Sequence, residues 1–232
     1  MKGSETARPF KKSLAREYLE SIVVAVVLAL FIRTFVVQAF KIPTGSMETN
    51  LLIGDHLLVN KLVYSPSAGH LEDAILAKKP IRRGHVVIFK FPEDPNKDFI
   101  KRVIGLPGET IEIKDKKVFV DGKPLDEPYA HFLEPPLSHD DPEYGLRGGD
   151  NWGPKTVPQG ELFVMGDNRD NSHDSRYWGF LPEDQVKGRA LLVYWSYEAS
   201  REEYRRTGLD WVWDTVTSLG KTRWTRFFHL IR

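Results

Sequence analysis

The only long apolar stretch of the chain lies near its N-terminus and constrains the fold more than any other feature. Its core is the twelve-residue run 21–32, followed by Arg33 and a second short apolar stretch at 35–37. As one helix over residues 18–40, this segment is about 35 Å long, which is enough to cross a bilayer. The sequence therefore predicts a single transmembrane anchor, in which Arg33 reaches towards the interface.

The flanking charges predict the orientation of this anchor. Residues 1–17 carry five basic side chains against two acidic ones, which places them in the cytoplasm and everything from residue 41 onward on the far side of the membrane. The alternative is a cleaved signal peptide, because the apolar core is short and Val37-Gln38-Ala39 resembles a cleavage site. Cleavage after Ala39 would leave Ser46 almost at a new N-terminus. That consequence and the intervening Arg33 favour an uncleaved anchor.

Residues 41–207 have the pattern of one mostly antiparallel β domain. Short runs of β-branched and aromatic residues alternate with turn residues such as Asp121-Gly122. Strands are predicted at 56–63, 85–91, 99–104, 110–113, 117–120, 161–165 and 189–195. Residues 92–96 are predicted as a turn, and a short helix is expected around 72–79. Residues 124–158 show no periodicity and predict a long irregular surface excursion.

Composition excludes several classes of function. The chain has no cysteine, so disulfides, thiol catalysis and zinc sites built on cysteine are ruled out. The net charge of +1 gives no indication of nucleic-acid binding. No cofactor and no metal are predicted.

Ser46 follows the anchor on a predicted turn. Pro43 and Gly45 stand on either side of Thr44, so a helix is not expected to continue through this point. The turn would hold the Ser46 hydroxyl close to the membrane surface. A serine needs a base to act as a nucleophile, and a serine on a turn commonly satisfies only local hydrogen bonds.

Lys101 is a candidate for that base. In the predicted strand 99–104, alternation puts Lys101 on one face and Arg102 on the other, so one of the two cations must lie on an apolar face. A buried lysine can lose its proton, whereas arginine cannot. Acting as a base near neutrality requires the lysine pKa to fall by roughly 3 units. An ordinary lysine that extends its charge to solvent remains the alternative.

A polar stretch at 166–179 is the third candidate feature. Asp170, Ser172 and Asp174 alternate as in a calcium loop, but Ser175 replaces the expected glycine and Leu181 the expected glutamate. A rigid polar scaffold beside a functional site fits better than calcium.

The histidines allow two further arrangements. Seven are present, and any could in principle complete a serine–histidine–aspartate triad, although none lies in a motif that marks one. A metal cluster is conceivable in the polar region of the excursion but is disfavoured there. Its members would be His131, His139, Asp140 and Asp141.

Taken together, these stretches resemble the bacterial type I signal peptidases. An apolar anchor is followed by Thr44-Gly45-Ser46-Met47, by residues 101–109 and by residues 166–179, in the order and with the spacing typical of that family. The resemblance covers roughly residues 20–200. It implies a mostly β fold of the signal-peptidase type behind a single transmembrane helix.

The resemblance also implies a serine–lysine dyad. Ser46 would attack the scissile carbonyl, and neutral Lys101 would accept its proton and return it to the leaving amine. The Ser46 N–H and the Thr44 hydroxyl would hold the oxyanion. Ser172 would orient the lysine through a hydrogen bond, supported by an ion pair between Asp174 and Arg176.

The implied activity is removal of N-terminal signal peptides from exported preproteins at small-x-small sites. The enzyme would lie in the bacterial cytoplasmic (inner) membrane, with its catalytic domain on the outer face and the lipid bilayer and preprotein signal peptides as partners. Two local departures appear: Thr44 where many relatives have serine, and Thr49-Asn50 where the family often has proline and threonine. The residues proposed to line the substrate pockets are Leu51, Ile53, Val86, Ile88 and Val103.

The C-terminal stretch 208–232 combines aromatic and basic residues. Its apolar residues from Trp213 to Ile231 follow helical spacing, which predicts an amphipathic helix. The helix would lie on the membrane surface or pack on the β domain. Two other readings of the whole chain remain open: a non-catalytic, membrane-anchored β domain that binds partners through residues 124–158, and a histidine-dependent serine hydrolase.

Overall fold

The computed structural model describes residues 13–61, 80–133, 149–198 and 218–231. The chain divides into two compact units, and the boundary in the sequence lies between Val36 and Val37. The helix expected around 72–79 and most of the central part of the excursion lie outside the described residues.

The first unit contains one long helix, α1 (Leu14–Phe31), which Ser13 caps by accepting a hydrogen bond from the Arg16 N–H. None of its side chains is buried, and large apolar residues along its whole length are exposed. Among the described residues, no helix has both the length and the apolar character needed to cross a membrane. The predicted spanning helix over 18–40 is therefore not confirmed.

The predicted helix also extends further along the chain than the observed one. A π-helical turn, Ile32–Val36, follows α1, and the chain then enters strand β1 (Val37–Lys41). All five residues of β1 pair with strand β2 (Asp55–Asn60). Residues 37–40 are predicted as helix, but pairing with a distant strand satisfies their backbone groups instead, and Val37 and Phe40 are residue types that strands favour.

The second unit is built on one large antiparallel sheet. Its remaining strands are β3 (Val86–Phe91), β4 (Asp94–Gly105), β9 (Glu161–Met165), β10 (Leu181–Pro182), β11 (Val186–Ser196) and β12 (His229–Leu230). The order is β1-β2-β11-β3-β4-β9-β10, and β12 pairs with β11. Every pairing in this sheet is antiparallel, which confirms the mostly β, antiparallel prediction.

A smaller four-stranded sheet packs beside it. Its strands are β5 (Thr110–Lys114), β6 (Lys117–Val120), β7 (Lys123–Pro124) and β8 (Trp152–Thr156), in the order β7-β6-β5-β8. Strand β8 belongs to the region predicted as an irregular excursion, and so do Leu125 and Tyr129, which pack on the core. That prediction is wrong for these residues, because long-range pairing with β5 orders a segment that has no local periodicity.

Both faces of the large sheet are covered around β3 and β4. Val86 and Ile88 belong to one buried apolar cluster, whereas Val87 and Phe89, which point the opposite way, belong to a second. The neighbouring strand β4 is consequently buried on both faces from Ile100 to Gly105. Any charged residue in this part of β4 must therefore find its partners inside the protein.

The C-terminal residues 218–231 do not form the predicted helix. They contain two short 3₁₀ turns, Ser218–Lys221 and Trp224–Arg226, followed by β12. Ile231 is buried in the core, and Arg226 forms an ion pair with Asp55 at 2.6 Å. These tertiary contacts replace the helical hydrogen bonds that the apolar spacing suggested.

Candidate active site

Ser46 lies in a single 3₁₀ turn, Gly45–Met47, at one end of the core. Pro43 precedes the turn, and the side chains of Ile42, before the turn, and Met47, its last residue, are buried. Two apolar anchors thus hold the turn against the sheet while the serine between them stays at the edge of the core. Ser46 itself is 7% exposed.

A loop from another part of the chain holds this turn in place. The Asn168 N–H donates to the Ser46 carbonyl at 3.1 Å, and the Asn168 Nδ2 donates to the Gly45 carbonyl at 3.1 Å. Gly166 makes the approach possible, because a Cβ there would lie 2.5 Å from the Ser46 carbonyl oxygen and 2.2 Å from Ser172 Oγ. Only glycine fits at this close approach of two backbones.

Lys101 approaches Ser46 from β4. The distance between Lys101 Nζ and Ser46 Oγ is 2.7 Å, and the lysine is 4% exposed. Burial lowers the pKa of Lys101 to about 8 against the opposing charge of Asp174, and smaller effects come from Arg176, which lowers the pKa, and Asp167, which raises it. A neutral amine at this distance can accept a proton from the serine hydroxyl.

Arg102, the next residue, is buried on the opposite face of β4. Its Nε and Nη2 each donate to a different Asp167 carboxylate oxygen at 2.7 Å, and its Nη1 donates to the Gly84 carbonyl at 2.8 Å. The guanidinium also lies 4.1 Å from the centre of the Tyr129 ring. The strand pattern predicted only one of the two cations on an apolar face, and it gave no indication of this ion pair. The acidic residue directly after Gly166 was the only signal.

Asp174 and Arg176 form the expected ion pair, with Arg176 Nε 2.8 Å from Asp174 Oδ1. Burial alone would raise the pKa of Asp174, but the Arg176 charge and hydrogen bonds from Arg176 and the Gly166 N–H together lower it. Arg176 Nη2 also donates to the Arg169 carbonyl at 2.6 Å. The pair therefore braces both ends of the loop that contacts the Ser46 turn.

Ser172 lies beside Ser46 and Lys101 without the contact that the resemblance implies. Its Oγ is buried and forms no hydrogen bond to Lys101, although the hydroxyl lies close enough to the Asp174 carboxylate to help lower the pKa of that group. Lys101 Nζ is directed at Ser46 Oγ instead. The hydroxyl lies under the Gly166 backbone, so this structure places Ser172 in the wall of the site and not in contact with the amine.

Ser46 and Lys101 open into a cleft of about 920 Å³. The other lining residues are Pro43, Thr44, Gly45, Lys97, Asp98, Phe99, Ile100, Asp170, Asn171, Ser172, His173 and Tyr177. None of the five residues proposed for the substrate pockets is among them. Val86, Ile88 and Val103 are buried in the core, because neither face of β3 or β4 is open there, and Leu51, which precedes β2, is buried in the same core.

The structure also places several of the residues named in the histidine and calcium alternatives. Of the described histidines, only His173 lines the cleft, and its ring packs against Phe91 and Tyr177. Asp170, from the calcium-like pattern, accepts a hydrogen bond from Lys116 Nζ at 2.7 Å. His139, Asp140 and Asp141 lie outside the described residues.

A serine hydroxyl hydrogen-bonded to a buried lysine, at the head of a cleft in an antiparallel β fold, defines a candidate serine hydrolase. The family model described as "Signal peptidase, peptidase S26" matches residues 15–195. A signal peptidase I of Leptolyngbya laminosa is 39% identical over 196 residues, covering 82% of this chain and 84% of that protein. A signal peptidase I of Pseudomonas aeruginosa is 34% identical over 219 residues, covering 81% of this chain and 75% of that protein. A signal peptidase IB of Staphylococcus aureus is 33% identical over 201 residues, covering 84% of this chain and 96% of that protein. The chain belongs to the signal peptidase I family of serine peptidases.

Proposed function

We propose that this chain cleaves signal peptides from exported preproteins at small-x-small sites, with Ser46 as the nucleophile and Lys101 as the general base. The observation that carries the proposal is the 2.7 Å contact between Ser46 Oγ and a lysine that is 4% exposed. Burial keeps the amine partly neutral near physiological pH, and a neutral amine is the form that can accept a proton. The cleft provides space for an extended peptide beside both groups.

The reaction follows from these positions. Lys101 Nζ takes the hydroxyl proton as Ser46 Oγ bonds to the carbonyl carbon of the scissile peptide. The carbon–nitrogen bond then breaks, and the Lys101 ammonium gives that proton to the leaving amine. Water attacks the resulting ester with Lys101 again as the base, which releases the signal peptide and restores Ser46.

The oxyanion of the tetrahedral intermediate needs two donors near Ser46. The Ser46 N–H lies in the first turn of a 3₁₀ helix, where backbone N–H groups have no partner within the helix. The Thr44 hydroxyl lines the same cleft. We assign the oxyanion site to these two donors. Asp174 and Arg176 would act indirectly, by bracing the loop that holds the Ser46 turn.

The walls of the cleft suggest where substrate side chains bind. Pro43, Phe99 and Ile100 are apolar and line the cleft together with the dyad. We assign the pockets for the small substrate residues to these side chains, in place of the core residues proposed from sequence.

Cleavage by this mechanism should depend on pH in a defined way. Lys101 has a pKa of about 8 and must be neutral to act, so the cleavage rate should rise with pH and be half-maximal near pH 8. At pH 7 about one molecule in ten would carry the neutral amine. The measurement is the initial rate of preprotein cleavage by the full-length protein in detergent, between pH 5 and pH 10 in roughly one-unit steps. A midpoint near the ordinary histidine value would favour the histidine-dependent alternative, and no cleavage would favour the non-catalytic β domain.

We further propose that α1 and the basic residues before it anchor the chain in the cytoplasmic membrane, with the second unit on the outer face. The support is the exposed apolar surface that runs along α1, from Leu14 at 71% exposed to Phe31 at 54%. In water this surface would be unfavourable, whereas in lipid it would be solvated.

This anchor can be tested in membranes. The full-length chain should remain in the membrane fraction after an alkaline carbonate wash, and added protease should reach the second unit only from the outer face. Replacing Val24 and Leu28 by lysine places two charges in the middle of the apolar surface, at a cost of about 3 kcal/mol each, and should release the chain. Replacing the exposed Lys114 and Lys117 by glutamine is the control. Release of the unsubstituted chain by carbonate would contradict the proposal.

A further inference from the structure

The segment that follows the candidate nucleophile is held from two sides. On one side, the loop at 166–168 contacts the Ser46 turn, as described above. On the other side lies the C-terminal clasp, which we define as residues 223–231. None of the described residues of the clasp lines the cleft. Its arginine side chains instead bind the segment 50–55 directly.

Arg226 makes the central contacts of the clasp. Its Nε and Nη2 donate to the two carboxylate oxygens of Asp55 at 3.1 and 2.6 Å, and its Nη2 also donates to the Asn50 carbonyl at 2.8 Å. Asp55 is completely buried and also accepts from the Leu52 N–H and the Ser196 hydroxyl. One planar guanidinium thus ties both ends of the segment 50–55 together, a geometry that a lysine ammonium cannot reproduce.

The contact at Asn50 continues towards the dyad. The Asn50 Nδ2 donates to Asp167 Oδ2 and to the Tyr129 carbonyl, both at 2.9 Å. Asp167 is the partner of Arg102, which is adjacent to Lys101 in β4. A continuous series of hydrogen bonds therefore runs from Arg226 through Asn50 to the strand that carries the candidate base.

Apolar contacts support the same arrangement. Ile231, at the end of the clasp, belongs to the buried cluster that also contains Met47 and Leu51. Met47 follows Ser46 directly, so the clasp packs into the same core as the nucleophile turn. Arg223 adds a hydrogen bond from its Nη2 to the Ile53 carbonyl at 2.9 Å.

We propose that Arg226 is a positioning residue for Ser46. By holding Asn50 and Asp55 it sets the path of the backbone after the serine, and so keeps Ser46 Oγ in line with Lys101 Nζ. It touches neither substrate nor reacting atoms. This inference rests on the proposed function, since it requires that Ser46 and Lys101 carry out the reaction.

The test compares Arg226→Lys with Arg83→Lys in the full-length protein. Arg83 is a matched control, because it also binds one carboxylate, Glu109, and one backbone carbonyl, Ile104, but has no contact with the nucleophile segment. For Arg226→Lys we expect kcat to fall about 10- to 100-fold with KM within about twofold of the unsubstituted value, because misplacement of the serine slows the chemical step. The pH midpoint should stay near 8, because the surroundings of Lys101 are unchanged. Arg83→Lys should leave kcat unchanged.

Two results would overturn the proposal: equal kcat for the two variants, or a loss that appears only in KM. If Arg226→Lys does not fold, the double variant Asp55→Asn with Arg226→Gln removes both charges of this pair, and Arg223, the other cation near Asp55, is partly exposed and keeps its hydrogen bond to the Ile53 carbonyl. The same fall in kcat in that folded variant would support positioning, and an unchanged kcat would reject it. Failure of the proposed function has a different signature, absence of cleavage by the unsubstituted protein, and would overturn both.

Discussion

Replacing Lys101 by methionine should reduce the rate of preprotein cleavage by about 10²- to 10⁴-fold, the range typical of removing a general base. The side chains are similar in length, but methionine cannot accept the Ser46 proton. Because the lysine is 4% exposed, methionine also removes the cost of a buried ammonium, so stability should be kept or increased. The measurements are the initial cleavage rate and the thermal unfolding midpoint of each protein in the same detergent.

Two comparison variants make this result specific. Lys90→Met changes an exposed lysine of the neighbouring strand β3 and should cleave at the normal rate. His173→Ala removes the one described histidine that lines the cleft, and should also retain cleavage. If Lys101→Met cleaves normally, the lysine is not the base. Loss of activity only in the His173 variant would point to a histidine-dependent hydrolase.

The second large effect concerns stability. Replacing Asp167 by asparagine should lower the free energy of unfolding by about 3 to 5 kcal/mol, because it leaves the buried Arg102 guanidinium without its counter-charge. The side chains of this ion pair are 2% and 1% exposed, so water cannot compensate for the loss. The measurement is denaturant unfolding of the full-length chain in detergent.

The chain offers a matched control for this prediction as well. Asp98 pairs with Lys187 through side chains that are 31% and 30% exposed. Asp98→Asn should therefore cost less than about 1 kcal/mol, as solvent-exposed ion pairs do. Equal losses for the two variants would show that burial of the Arg102–Asp167 pair does not determine its contribution.

Several strands could be predicted closely because their signals are local. The predicted limits 161–165 and 117–120 coincide with β9 and β6, where apolar and β-branched residues are bounded by turn residues. Strand β4 begins earlier than predicted, at Asp94, since Pro92-Glu93 suffices for the turn: Asp94 and Asp98 pair with β3, and residues 95–97 bulge out between them. Local composition indicated a turn there but not its length.

Segments ordered by distant partners were the ones that sequence reasoning missed. Residues 37–40 and 152–156 form strands because β2 and β5 pair with them. The clasp forms turns and a short strand because Asp55 and β11 bind it. In each case the hydrogen-bond partner lies far away in the chain, so the local pattern carried no information about it.

For the candidate site, the sequence by itself determined which residue types were present and their order: a serine on a turn, a lysine in an apolar strand and a polar loop, together with the family they resemble. Only the tertiary structure decided that both faces of β4 are covered, so that Lys101 and Arg102 are both buried and need different partners. It also decided that Ser172 lies beside Ser46 and Lys101 without binding the lysine, and that residues such as Pro43 and Phe99 line the cleft in place of the five residues proposed from sequence. The physical reason is that burial, and with it the pKa of a lysine, depends on everything packed around a residue, whereas alternation along a strand reports only on which side it points.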